Sequence, residues 1–161
     1  MTLSRKIAAA LDENTRAYNP PCLVAVDAGT DRIALEITAL DSVGVAFDGL
    51  EYQATDRDDR SPDALNAWGE ALARRVRYLM EPLKVLEVDA GEGVVQLRSE
   101  VPSVREDVRN FYEVRLGRRG TCRIERYAFD PATRARKRTS CHMTREMLER
   151  LADDIAATSA C

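Results

Sequence analysis

Apolar side chains recur every three or four positions in three stretches of the chain and every second position in several others, and the elements follow from that division. Leu3, Ile7 and Leu11 stand at i+4 spacing and Tyr18 extends the same stripe, which predicts a first helix over 3–17. "NPP" at 19–21 should end it, because proline fixes φ and removes a donor. A second helix is predicted over 61–81. Ser61 is a natural N-cap and Pro62 suits the first helical position. Asp63 then lies at the positive end of the helix dipole, with Arg74, Arg75 and Arg77 toward the negative end and Pro82 as the stop. Its apolar stripe is Leu65, Trp68, Leu72, Val76 and Leu79, of which Leu65, Trp68, Leu72 and Val76 read as core or interface. The third helix starts at a Thr144 cap, with Met143 and Leu148 spaced as a hydrophobic staple and Leu151 and Ile155 continuing the stripe.

Between the helices the period drops to two. "CLVAV" at 22–26, "RIALEITAL" at 32–40 and "VAFDGLEYQ" at 45–53 read as three strands. In the third, the apolar phase slips by one between Phe47 and Leu50, which predicts a β-bulge at Asp48-Gly49. "LKVLEVDA" and "VVQLRSEV" flank "GEG" as a hairpin, and "PSVRED" reads as a loop. "VRNFYEVRL" and "TCRIERYAF" flank "GRRG", a turn that places Gly120 in the left-handed region. That register sets Val114 opposite Ile124 and Leu116 opposite Cys122. It also sets Arg115 opposite Arg123, with Glu113 and Glu125 as diagonal partners. The stretch 133–140 reads as a returning, solvent-exposed edge segment, since charged side chains oppose edge-to-edge pairing.

The resulting order is α-βββ-α-ββββ-α. It predicts one α+β domain over 1–161, an antiparallel β-sheet of about six to seven strands with helices packed on one face. This element order resembles that of type III secretion chaperones and related small α/β adaptor domains. The resemblance rests on the order of elements and covers most of the chain. It implies a homodimer, built partly through the middle helix, that binds an extended protein partner.

Charge changes the picture more than composition does. The net charge is −3, yet residues 1–100 carry 11 basic and 18 acidic side chains while residues 101–161 carry 13 and 9. Such a split can steer a partner or support self-association. Arg115, Arg118, Arg119, Arg123, Arg134, Arg136, Lys137 and Arg138 form the candidate binding surface within the basic 105–138 region. The overall acidity and the lack of aromatic interleaving in "TRARKRTSCHM" make nucleic acid an unfavoured partner. No apolar run approaches the roughly 20 residues of a membrane span, and a cytoplasmic protein is expected.

Chemistry-bearing motifs are sparse. Cysteines stand at 22, 122, 141 and 161, without zinc spacing, so free thiols and no metal or cofactor are expected. Cys141 and the single histidine, His142, are neighbours; on an extended strand they point to opposite faces and cannot pair with each other. "DRDD" at 56–59 lacks calcium-loop spacing. The expectation is a non-catalytic protein-binding or adaptor domain, chaperone-like, with a homodimer as its candidate assembly. The alternatives are nucleic-acid or anionic-ligand binding through 105–138, and an enzyme using His142.

Overall fold

Three amphipathic helices need their apolar stripes covered, and a single sheet covers them. The computed structural model describes residues 2–16, 21–55, 59–89, 91–99 and 102–160. Helix α1 (Leu3–Arg16) is followed by strands β1 (Cys22–Ala28), β2 (Asp31–Leu40) and β3 (Gly44–Ala54). Helix α2 (Pro62–Arg75) leads into β4 (Leu83–Asp89), β5 (Val94–Ser99), β6 (Ser103–Arg105), β7 (Val108–Gly117), β8 (Thr121–Asp130), β9 (Ala135–Thr139) and β10 (Cys141–Thr144), and helix α3 (Arg145–Ser159) closes the order. Tyr18, the first part of "NPP", most of "DRDD" and Cys161 lie outside the described residues.

The fold is α+β, with helices packed against an antiparallel sheet of order β1-β2-β3-β8-β7-β5-β4. Among the described residues it has ten strands where six or seven were expected. One extra strand comes from "SVR", which folds back on β7 through Glu106 and Asp107, both at positive φ. The usual Asn-Gly signal for such a turn is missing there. Two more come from the stretch that opens at Thr133. It runs along β8 as β9, then past Ser140 continues along β3 as β10. Strand β3 therefore has two neighbours on one side: β10 along Gly44–Phe47 and β8 along Leu50–Gln53. The switch falls at the expected bulge, because Leu35 pairs with Leu50 but Ile37 with Phe47, leaving Asp48 and Gly49 as the irregularity.

Helix α2 also departs from expectation, ending at Arg75 and not near 81. The N–H of its C-cap Val76 still bonds Leu72, at 2.8 Å. Beyond it, Tyr78 and Arg75 are both drawn to Asp154 of α3, each at 2.7 Å. Val76 and Leu79 remain buried as irregular chain. Ser61 and Thr144 cap α2 and α3, accepting from the N–H groups of Ala64 and Met147.

Leu65, Trp68, Leu72 and Val76 are all buried in the one core cluster, together with Leu3, Ile7, Phe47, Leu50 and Leu148. The Trp68 indole donates to Thr158 Oγ1 at 3.2 Å and meets the Tyr52 ring edge-on. The apolar stripe of α2 is thus consumed within its own molecule.

Candidate functional site

The helices leave one face of the sheet uncovered, and register decides what stands on it. Val114 opposite Ile124 and Leu116 opposite Cys122 face the core. The intervening pairs are Arg115 with Arg123, Glu113 with Glu125, Phe111 with Tyr127 and Arg109 with Phe129, and they face the other way. β9 adds Arg136 opposite Phe129 and Arg138 opposite Tyr127, while β5 adds Gln96 opposite Arg115 and Arg98 opposite Glu113. A face of arginines, carboxylates and aromatic rings results.

Like charges directly opposite one another repel, and here diagonal partners relieve them. The Arg123 guanidinium reaches Glu36 at 2.9 Å, Glu51 at 3.3 Å and Glu125 at 3.5 Å. Arg138 bonds Glu125 at 3.1 Å, a hydrogen bond that holds its guanidinium above its ordinary pKa. Gly49 makes room for this group: a Cβ there would collide with the Glu36 carboxylate and the Arg123 guanidinium. Glu113 does not serve as a partner of Arg123. It is buried beneath Arg98, Arg136 and Gln96 and bonds to the last two.

Two depressions flank this middle ground along β5 and β7. At one end Arg98, Arg109, Phe111, Phe129 and Arg136 line a cleft of about 400 Å³. The Phe111 and Tyr127 rings stack with centroids 6.1 Å apart. Arg136 lies 3.8 Å over Tyr127, and Arg98 lies 5.3 Å over Phe111. Arg98 and Arg136 share the single carboxylate of Glu113. Arg109 is exposed and, among the described residues, carries no ion pair. At the other end Glu51, Glu87, Asp89 and Glu92 rim a cleft of about 430 Å³ around Arg115 and Arg123.

The eight cations read from the sequence do not form one patch. Arg123, Arg136 and Arg138 are ion-paired on this face, and Arg115 stands among the acids of the second cleft. Arg118 and Arg119 sit at the β7–β8 turn, 3.8 and 4.0 Å from Asp59. Arg134 occupies the β8–β9 turn at positive φ, and Lys137 stands opposite Ala128, on the helix side of the sheet. Sequence reasoning passed over Arg98, Arg109, Phe111 and Phe129. The β7–β8 register it contained would have placed the last three together.

Cys141 and His142 do point to opposite faces. Cys141 is buried opposite Phe47, while His142 is exposed opposite Ala46. Burial pushes the Cys141 thiol up to about 12 and raises that of Cys122 further. Cys22, Cys122 and Cys141 are free thiols. Among the described residues no group of three or more His, Cys, Asp or Glu side chains could hold a metal ion, and no helix is long and apolar enough to cross a membrane. Comparison of the chain with protein-family models, curated proteins and solved structures finds no match.

Proposed function

We propose that this chain is a non-catalytic protein-binding domain, and that its contact surface is the helix-free face of the sheet. The observation that carries this reading is the cleft at Arg98, Arg109, Phe111, Phe129 and Arg136. Aromatic and arginine side chains are the types enriched at protein interfaces and dominant in their energetics. Three arginines stand there against one carboxylate, so the cleft favours an acidic partner surface that also offers an apolar side chain. The neighbouring Val104, 63% exposed on the strand opposite Arg109, extends the apolar part of the surface. The state of Cys141 supports a role without covalent chemistry, because a thiol raised to about 12 has almost no nucleophilic thiolate at neutral pH.

Phosphate binding through the basic region is less favoured on the same geometry. Five of the eight cations counted toward it (Arg118, Arg119, Arg123, Arg136 and Arg138) are already ion-paired. The discriminating measurement is fluorescence anisotropy with two labelled probes in parallel, a peptide alternating glutamate with phenylalanine and a single-stranded oligonucleotide. The peptide is expected to bind at low salt, to weaken as salt rises, and to lose at least about tenfold in affinity in the double variant Val104→Glu/Arg109→Glu. Equal peptide binding by that variant, or tighter binding of the oligonucleotide, would overturn the reading.

A further inference from the structure

The two clefts lie on one face, at opposite ends of the same pair of strands, and they carry opposite charge. On β5, Val94 and Gln96 line the acidic cleft and Arg98 the cationic one, so the boundary between them falls between Gln96 and Arg98. On β7, Arg115 and Gly117 line the first and Arg109 and Phe111 the second, with Glu113 midway and hydrogen-bonded to Gln96. A surface that is acidic at one end and cationic at the other becomes its own complement when turned by half a revolution about an axis through its middle. A closed dimer needs this property of a self-matching patch.

Resting on the reading of this face as a protein-binding surface, we propose that the partner it fits is a second copy of this chain. The two copies stack sheet on sheet about a two-fold axis that passes near Gln96 and Glu113. The acidic rim of each copy, Glu87 on β4 opposite Gln96 and Glu92 in the β4–β5 turn, meets Arg98 and Arg109 of the other. Both acids are exposed, as is Arg109, so these contacts are open to a partner. Val104 and Phe129 supply the apolar contact at each end. Stacked sheets keep their strands within about 30° of alignment, which lets the ends of one furrow reach the ends of the other.

Size is consistent with this. Four strands about 4.8 Å apart, with a central strand of ten residues at about 3.4 Å each, present a face of roughly 650 Å² in projection. A standard interface buries about 800 Å² per partner. The dimer is therefore of modest area, rich in charge, and sensitive to salt. The alternative apolar surface, the stripe of α2, is already buried within its own copy.

Sedimentation equilibrium on the full chain tests the proposal, over a hundredfold concentration range at low and at high salt. The expected result is a concentration-dependent dimer at low salt whose Kd rises at least tenfold at high salt. Val104→Glu/Arg109→Glu makes both ends of the face acidic, and Glu87→Lys/Glu92→Lys makes both ends basic. Each variant alone is expected to be monomeric over the range where the parent dimerises, and an equimolar mixture of the two is expected to form a heterodimer. All four positions are exposed, and the far-UV circular dichroism and Tm of each variant check that it folds. A parent that stays monomeric throughout, variants that still dimerise, or a mixture that fails to pair would each overturn the proposal. If the parent is monomeric but binds the acidic peptide through Arg109, the second-copy proposal falls while the protein-binding reading stands. Loss of both removes both.

Discussion

Arg123 and Arg126 stand three residues apart on β8 and, by the odd spacing, on opposite faces of the sheet. Arg123, on the helix-free face, has three carboxylates within 3.5 Å and keeps about a third of its side chain exposed. Arg126, on the helix side, has one: Glu81, at 2.6 Å and 1% exposed. The Glu81 carboxylate also accepts from the Ser103 hydroxyl, and the Arg126 guanidinium lies 5.6 Å over the Tyr112 ring. Among the described residues, Glu81 Oε2 and Arg126 Nε have no hydrogen-bond partner. The number of partners is therefore a poor guide to what each arginine contributes. Around Arg123 water screens every pair, and exposed pairs are worth about 0–1 kcal/mol. Around Arg126 the Glu81 charge is shut off from water and the guanidinium largely so, and each depends on the other.

The largest effect that would sharpen this contrast is expected on the buried side. Glu81→Ala leaves Arg126 without its counter-charge and should cost about 3–5 kcal/mol in urea denaturation. A loss below about 1 kcal/mol would mean that water reaches Arg126, and the comparison would break. Replacing both partners with apolar residues should recover much of the loss.

An intermediate effect is expected from the buried thiol of Cys141, on the same side of the sheet. The unfolded thiol gives up its proton near pH 9, whereas the folded one holds it to about pH 12. The folded state binds more protons in that interval. Stability from this group is thus intact below about pH 9 and is lost as pH rises toward 12, at no more than about 1.4 kcal/mol per pH unit. Stability measured between pH 8 and pH 11 in the parent and in Cys141→Ala should show a smaller alkaline loss in the variant. Equal slopes would refute the assignment.

The smallest effect belongs to the free face. Arg123→Ala removes three ion pairs, yet it should cost less than about 1 kcal/mol, and raised salt should shrink even that. A loss comparable with that of Glu81→Ala, measured at high salt and low concentration where the proposed dimer is dissociated, would show that Arg123 is shielded from water within a single copy.

Much of the local order was legible along the chain, because it depends on neighbours in sequence. The caps at Ser61 and Thr144 and the β7–β8 register were each set by a few adjacent residues with a defined steric or hydrogen-bonding preference. The bulge at Asp48-Gly49 showed as a slip in apolar phase, which any strand with one buried face must carry when a residue is inserted. These were properties the sequence determined by itself.

The tertiary structure alone decided where α2 stops. The apolar spacing of Val76 and Leu79 continues the helical stripe, but Asp154 of α3 holds Arg75 and Tyr78, and Glu81 turns inward to Arg126. It decided the split of 135–144 into two strands, since the break at Ser140 arises from a change of partner from β8 to β3 and not from a turn signal. It also decided which cations remain available. A charged side chain reads the same in sequence whether a carboxylate from a distant strand lies 3 Å away or none does, and the pairing of Arg123 with Glu36, 87 positions apart, follows only from strand order. Local preferences act through the backbone of one segment. Ion pairing, burial and the ends of irregular segments depend on which segments meet, and that is decided when the sheet assembles.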